Sequence, residues 1–130
     1  MKRRSWGLVF RNAAEGIAYG LRTQRNVRVH TGVAILMCVA GFFFRISRTD
    51  WMFVLTAVFL VLVTELMNTA VEAAVDLAHP HIHPLAKAAK DTAAGAVLLA
   101  AVFAVIIGCI VFIKPVMSWL GFTDVVLTLF

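Results

Sequence analysis

The stretch TAAGAVLLAAVFAVIIGCIVFI, residues 92–113, carries no charged side chain. At about 1.5 Å per residue, a helix of this length crosses the roughly 30 Å hydrocarbon core of a bilayer. Lys114 and Pro115 follow it. We expect this pair to end the helix, because proline lacks the backbone N–H that a helix interior requires. The stretch therefore predicts a membrane span over residues 91–113.

The composition of the whole chain agrees with a membrane protein. Hydrophobic residues make up 62% of the 130 residues and charged residues 15%, and a soluble domain of this size could not bury so much apolar surface. The length corresponds to one domain over residues 1–130. Cys38 and Cys109 lie in separate apolar stretches, so we expect two reduced packing cysteines among the lipids, and neither a disulfide nor a metal site.

Two more spans precede this one. The first apolar stretch, residues 31–44, is short for a span, so the predicted helix takes in flanking residues and covers 29–47. Trp51, an aromatic residue of the kind that favours the membrane interface, opens the next span, predicted over residues 51–76. The tail, residues 115–130, is too short to span and is predicted to lie at the interface. The sequence thus predicts an all-α membrane protein with three spanning helices.

Residues 6–28 have the pattern of an amphipathic surface helix. Apolar residues recur every three or four positions from Trp6 to Leu21, and charged residues occupy positions between them. A cleaved signal peptide is the alternative, but it needs an uninterrupted apolar stretch, and Arg11 and Glu15 interrupt this one. We therefore expect a helix that lies on the membrane surface.

The distribution of positive charge predicts the orientation. More than half of the 12 lysines and arginines precede the first span. They are Lys2, Arg3, Arg4, Arg11, Arg22, Arg25 and Arg28. By the positive-inside rule the N-terminus faces the cytoplasm, and with three spans the loop over residues 76–91 does so as well. We therefore attribute the net charge of +5 to contact with lipid headgroups, and expect no nucleic-acid partner.

The second predicted span ends in the polar sequence TELMNTAVEAAVD, residues 64–76. At about 100° per residue, Glu65, Asn68, Glu72 and Asp76 fall within one sector of roughly 80°. Counted from Trp51 at about 1.5 Å per residue, Glu65 lies about 21 Å along the helix and Glu72 about 31 Å. Glu65 is therefore expected inside the hydrocarbon boundary and Glu72 at its edge, where ionisable groups are costly and usually functional.

This polar stripe has a structural and a functional interpretation. In the structural one, the carboxylates pair with Arg or Lys of neighbouring helices and fix the packing; for Asp76 this interpretation is as well supported as a functional one. For Glu65, with Asn68 three residues on, we favour function as a general base that abstracts a proton. Glu72, closer to water, is better placed to hold a cation.

The loop and helix start HPHIHPLAKAAKD, residues 79–91, supply further polar groups. His79, His81 and His83 alternate, but without an accompanying cysteine they indicate a solvated turn more than a zinc site. Lys90 suits a phosphate, and we expect Asp91 to cap the third span. The chain has no P-loop motif, so a nucleotide would be held by side chains and metal.

Three motifs together resemble a known family. ELMNTAVEAAVD, HPLAKAAKDTAAGAVLL and RNVRVH look like the small bacterial membrane lipid kinases, the prokaryotic diacylglycerol kinases and their undecaprenol kinase relatives, over roughly residues 6–113. RNVRVH and HPLAK are more similar to the undecaprenol kinase branch. The resemblance implies a homotrimer in the bacterial inner membrane, with active sites shared between subunits. Such an enzyme uses Mg²⁺ and ATP to phosphorylate a lipid alcohol at the inner face, here undecaprenol, or alternatively diacylglycerol.

The resemblance also implies roles for individual residues. Glu65 would take the proton of the lipid hydroxyl, Asn68 would support it, and Glu72 would bind Mg²⁺. Gln24 stands where the family normally has a glutamate as second metal ligand, and an amide oxygen brings no charge to a hard cation. Either metal affinity is weaker, or Glu15 or Asp76 compensates. The implied ATP-binding residues are Glu72, Asp76, His81, His83, Lys90, Asp91 and Asn12.

Two other classes of protein compete with an enzyme. A small cation- or proton-coupled transporter also needs carboxylates in the membrane, but near the midplane and not at one end of a helix. A non-catalytic packing protein would explain the apolar helices, including the alanine spacing of the third span, but not so dense a polar stripe. We therefore favour a lipid kinase.

Overall fold

The computed structural model describes residues 5–78 and 83–122. Its four helices are α1 (Trp6–Thr23), α2 (Arg25–Phe44), α3 (Arg48–Ala78) and α4 (Pro84–Trp119). Each of α2, α3 and α4 is long and apolar enough to cross a membrane, and the two described ranges contain no β-strand. The prediction of an all-α membrane protein with three spanning helices behind an amphipathic N-terminal helix is confirmed.

The first two helices meet at Gln24, earlier than the sequence indicated. Gln24 leaves the helical conformation, with φ −101° and ψ 122°, and its backbone N–H donates to the carbonyl of Gly20. The guanidinium of Arg28 donates to the carbonyl oxygen of Arg22 at 3.1 Å, which satisfies a free carbonyl at the end of α1. The spanning helix therefore begins at Arg25 and not at residue 29, and the charged sequence RNVR belongs to it.

The turn between α2 and α3 is held by local hydrogen bonds. Arg45 adopts a left-handed conformation, with φ 51°, and ends α2. The Ser47 hydroxyl accepts from the backbone N–H of Asp50 at 3.1 Å, while the Asp50 carboxylate accepts from the backbone N–H of Ser47 at 3.2 Å, a reciprocal capping box. Gly41 lies against the ring of Trp51. These contacts begin α3 just ahead of the predicted residue 51.

The fourth helix extends beyond both predicted ends. His83 caps it, because its Nδ1 accepts from the backbone N–H of Leu85 at 3.2 Å, and Pro84 occupies the first turn, where its missing N–H costs nothing. Asp91 therefore lies well inside the helix, and the prediction that it caps the span is wrong.

At the other end, α4 continues through Lys114 and Pro115, so the expectation that this pair stops the helix is also wrong. In a bilayer an interrupted backbone has no water to bond, which favours continuing past a proline. The helix closes at Gly121, whose φ of 87° suits glycine. There the N–H of Phe122 donates to the carbonyl of Met117 at 3.0 Å. The rest of the predicted interfacial tail, residues 123–130, lies outside the described residues.

The three long helices pack together around a small core. Contacts between α3 and α4 are the most extensive, followed by those between α2 and α3. Val54, Val111 and Phe112 form the buried cluster. Most large apolar side chains stay exposed on the single chain, as Leu99 does at 74%. Because a surface this apolar is stable only against lipid or other apolar helices, the fold agrees with a bilayer. Cys38 and Cys109 are free.

Candidate active site

The polar stripe of α3 changes from buried to exposed along the helix. Glu65 and Asn68 are buried, with 2% and 8% of their surface exposed. Glu72 is half-buried and Asp76 is exposed. The rest of the chain thus covers Glu65 and Asn68 and leaves Asp76 open. Burying a carboxylate is costly unless it is paired, so the surroundings of Glu65 and Glu72 decide what these groups can do.

Glu65 faces a histidine of α2. The Nε2 atom of His30 lies 3.2 Å from Oε1 of Glu65. The distance is that of an ion pair, yet the alignment is not that of a hydrogen bond, and Oε1 makes no hydrogen bond within the described residues. Over the same ranges, Glu65 forms no salt bridge with any lysine or arginine. The purely structural interpretation of Glu65, which requires such a cation, therefore has no support here.

Two amides hold the carboxylate of Glu72. Asn68 Nδ2 donates to its Oε1 at 3.1 Å, from one turn earlier on α3. Gln24 Nε2 donates to its Oε2 at 3.3 Å, from the junction between α1 and α2. The structure thus brings together the two residues predicted as metal ligands. It also assigns to Gln24 a contact that a glutamate could not make, because a carboxylate has no N–H to donate.

Three residues predicted to contact ATP, Asp76, Lys90 and Asp91, take part in ion pairs near the start of α4. The Lys90 ammonium donates to the Asp76 carboxylate, which joins α4 to α3. Lys87 donates to Asp91, one turn along the same helix. The structural interpretation of Asp76, pairing with a cation of a neighbouring helix, therefore applies. All four side chains are at least partly exposed, so such pairs contribute little to stability and can exchange partners with a ligand.

Other predicted residues lie apart from this cluster. Asn12 is exposed on α1, and its side chain makes no hydrogen bond in the described parts of the chain. His83 acts as the cap of α4, and His81 lies outside the described residues. Glu15 pairs with Arg11 on its own helix at 3.4 Å. The suggested compensation for Gln24 by Glu15 therefore has no contact to support it.

The donor set around Glu72 fits a weakly held hard cation. The described residues contain no group of three or more His, Cys, Asp or Glu side chains placed to hold a metal. However, Oδ1 of Asn68 is buried without a hydrogen-bond partner, beside the carboxylate of Glu72 and the amide of Gln24. Carboxylate and amide oxygens are the ligands that magnesium and calcium prefer. Because each chain supplies one carboxylate here, we expect modest affinity for such a cation.

Two apolar grooves open beside these polar groups. One, of about 530 Å³, lies between α3 and α4 and has Asn68 in its wall. The other, of about 460 Å³, is lined by α2, α3 and α4 and has His30 in its wall. Sequence reasoning did not single out His30 as a site residue, although RNVRVH contains it; its proximity to Glu65 depends on how α2 packs on α3.

Comparison with known proteins identifies the family of this chain. The family model described as prokaryotic diacylglycerol kinase matches residues 11–112. The undecaprenol kinase of Bacillus subtilis (strain 168) is 42% identical over 104 residues, which cover 80% of this chain and 85% of the relative. The diacylglycerol kinase of a Synechocystis species is 42% identical over 110 residues, 84% of this chain and 63% of the relative. The diacylglycerol kinase of Escherichia coli K12 is 36% identical over 80 residues, which cover 61% of this chain and 66% of the relative.

Three helices able to span a membrane, together with these matches, define a membrane lipid kinase. The chain belongs to the prokaryotic diacylglycerol kinase family. The prediction of an enzyme is confirmed, and the transporter and packing-protein alternatives have no counterpart among these relatives, which are named as kinases.

Proposed function

We propose that this enzyme transfers the γ-phosphate of ATP to the hydroxyl of undecaprenol at the cytoplasmic face of the bacterial inner membrane. Diacylglycerol is the alternative substrate. The observation that carries the proposal is Glu65, a carboxylate with 2% of its surface exposed and no lysine or arginine partner within the described residues. Such a group suits proton abstraction from an alcohol.

Two observations favour undecaprenol as the lipid substrate. RNVRVH and HPLAK resemble the undecaprenol kinase branch, and the Bacillus subtilis relative with that name aligns over 85% of its own length. Diacylglycerol stays as the alternative because a relative with that name is equally identical, at 42%. Both lipids offer an alcohol at the level of the headgroups above long apolar chains, so the same base serves either.

The chain's own residues divide the work of phosphoryl transfer. Glu65 accepts the proton as the lipid oxygen attacks the γ-phosphorus. Asn68 keeps Glu72 in place through its 3.1 Å hydrogen bond. Glu72 and Gln24 would hold Mg²⁺, which neutralises charge on the phosphates of ATP when it is bound. The enzyme's main contribution is thus positioning and neutralised charge.

The remaining predicted residues are assigned to the nucleotide. Lys90 exchanges its ion pair with Asp76 for a phosphate of ATP, and Asp91 lies one residue further along α4. The other members of this set are Asp76, Glu72, His81, His83 and Asn12. Three chains form a trimer with shared sites, which would cover much of the exposed apolar surface of α2 to α4 and bring Asn12 to a neighbour's nucleotide. The N-terminus lies in the cytoplasm, where ATP is available.

The test is phosphorylation of undecaprenol and of diacylglycerol, side by side, in mixed micelles with Mg²⁺ and ATP. We expect phosphorylation of undecaprenol at least about tenfold faster, a difference of about 1.4 kcal/mol in transition-state stabilisation. Preference for diacylglycerol would overturn the substrate assignment and leave the kinase assignment in place. Absence of any product, from protein shown to be folded, would overturn the proposed function.

A further inference from the structure

A buried carboxylate oxygen of Glu65 has one neighbour able to engage it. Oε1 is buried and makes no hydrogen bond in the described parts of the chain, and the Nε2 atom of His30 lies 3.2 Å away. A buried acceptor left without a donor costs about 1–3 kcal/mol. A hydrogen bond from the ring N–H of His30 would satisfy Oε1 and remove this cost.

The other polar groups close to Glu65 are already committed. The Thr69 hydroxyl donates to the backbone carbonyl of Glu65 at 2.9 Å, and not to its carboxylate. The amide of Asn68 donates to Glu72. The side chain of His30 makes no hydrogen bond within residues 5–78 and 83–122, and it is 27% exposed. Among the described residues it is thus the donor that remains for Glu65.

The placement of His30 follows from the packing of α2 on α3. Gln24 reaches Glu72, and His30, further along the chain, reaches Glu65, earlier on α3. The two helices are therefore antiparallel here. The short segment from Gln24 to His30 contacts both carboxylates of the stripe, Glu72 and Glu65. His30 also lines the groove of about 460 Å³ between the three spanning helices, so it lies where apolar and polar surfaces meet.

We propose that His30 is a positioning residue for Glu65: its Nε2–H donates to Oε1 and turns Oε2 toward the lipid hydroxyl. The inference rests on the proposed function. In the reaction, the hydroxyl proton moves to Oε2 while the lipid oxygen bonds to the γ-phosphorus. The bond from that phosphorus to the bridging oxygen breaks, and ADP leaves. His30 keeps its own proton throughout.

Positioning of this kind acts on the rate of the chemical step. A carboxylate that rotates freely spends part of its time with neither oxygen aimed at the substrate, and a misplacement of about 1 Å can cost about 100-fold in rate. Hydrogen bonds in a substrate-free site are often poorly aligned and tighten when substrate binds. This accounts for a contact that has the distance of a hydrogen bond without its alignment.

The test compares His30→Leu, His30→Gln and His30→Asn with the wild type in the mixed-micelle assay, with kcat and KM measured separately. We expect His30→Leu to lower kcat about 10- to 100-fold and to leave the KM for ATP within about twofold. Glutamine places an N–H near the position of Nε2, so His30→Gln should recover most of kcat. The shorter His30→Asn should not.

Thr31→Val is the matched control. The Thr31 hydroxyl donates to the carbonyl of Val27 on its own helix, so its loss removes a neighbouring polar group without touching Glu65. We expect wild-type kcat from this variant. If His30→Leu does not yield folded protein, the comparison of His30→Gln with His30→Asn decides.

Different results would overturn the role of His30 and the proposed kinase function. Wild-type kcat in His30→Leu, or equal losses in the Gln and Asn variants, would overturn the role of His30 and leave the kinase function intact. A wild-type protein that is folded but phosphorylates neither lipid would overturn the proposed function, and the positioning role with it.

Discussion

Gln24 donates a hydrogen bond of 3.3 Å to the carboxylate of Glu72, although the two residues are separated by 48 positions in the chain. The contact joins the junction of α1 and α2 to the C-terminal part of α3. The amide takes the position where a glutamate was expected from the family resemblance, and it neutralises no charge. Glu72 is thus held in place by the N–H donors of two amides, those of Gln24 and Asn68.

This contact predicts the effect of Gln24→Glu. The substitution places two carboxylates in hydrogen-bonding range, where they repel each other unless a cation lies between them. We expect the Mg²⁺ concentration for half-maximal activity to fall about tenfold, because ligand charge strengthens binding of hard cations. Thermal unfolding in detergent, followed with and without Mg²⁺, should become more metal-dependent than in the wild type.

Gln24→Ala serves as the control, because it removes the donor without adding charge. It should gain no metal affinity. An unchanged Mg²⁺ requirement in Gln24→Glu would show that Gln24 does not face the metal.

Glu65→Gln should nearly abolish catalysis without weakening the fold. The amide has almost the same shape as the carboxylate and removes a buried charge, but it cannot accept the hydroxyl proton. We expect kcat to fall at least about 100-fold, the lower range of general-base catalysis, with the midpoint of thermal unfolding unchanged or raised. Steady-state kinetics and unfolding in detergent measure both.

Thr64→Val is the neighbouring control, since the Thr64 hydroxyl bonds carbonyl oxygens of its own helix. It should keep wild-type kcat. More than about a tenth of wild-type kcat in Glu65→Gln would exclude Glu65 as the base.

Lys90→Ala should weaken binding of ATP. A hydrogen bond to a charged group is worth about 1.5–3 kcal/mol, so loss of a lysine that binds phosphate should raise the KM for ATP at least about tenfold. Lys87→Ala removes the same charge from an exposed lysine on the same helix, paired with Asp91. We expect less than about a threefold change there. Equal effects of the two substitutions would indicate a general loss of positive charge and not a contact with ATP.

Gly41→Ala should destabilise the turn between α2 and α3. A Cβ atom at Gly41 would lie 2.8 Å from two ring carbons of Trp51, and a rigid indole ring cannot yield as a flexible side chain can. Overpacking of this kind costs about 1–3 kcal/mol, which thermal unfolding in detergent would measure. Gly32→Ala, in the same helix with no atom within 4 Å of the added Cβ, is the control. Equal stability of the two variants would contradict the close packing at Trp51.

The stripe on α3 was predictable because it depends on local geometry alone. Helical periodicity places Glu65, Asn68 and Glu72 on one side whatever packs against them. The number and apolarity of the spans were equally accessible, since a bilayer requires long apolar helices, although their ends were not. The contacts of Gln24 and His30 were not, because they depend on how α2 lies against α3, and one sequence carries no measure of that.

The ends of α4 were predicted wrongly for a different reason. Rules from water-soluble helices favoured Asp91 as a cap and Pro115 as a stop. In the structure, His83 and Pro84 begin the helix, and Gly121 closes it. Local signals existed at both places, a proline suited to a first turn and a glycine suited to positive φ. The error lay in giving polar and helix-breaking residues the weight they have in water.

Helix α4 runs without interruption from Pro84 to Trp119, about 54 Å at 1.5 Å per residue. It therefore exceeds the thickness of the hydrocarbon core, with Lys90 near one end and Pro115 near the other. A helix longer than the core is accommodated by tilting or by local thickening of the bilayer. If Lys90 binds the nucleotide, as proposed, the thickness of the membrane therefore influences where that lysine lies.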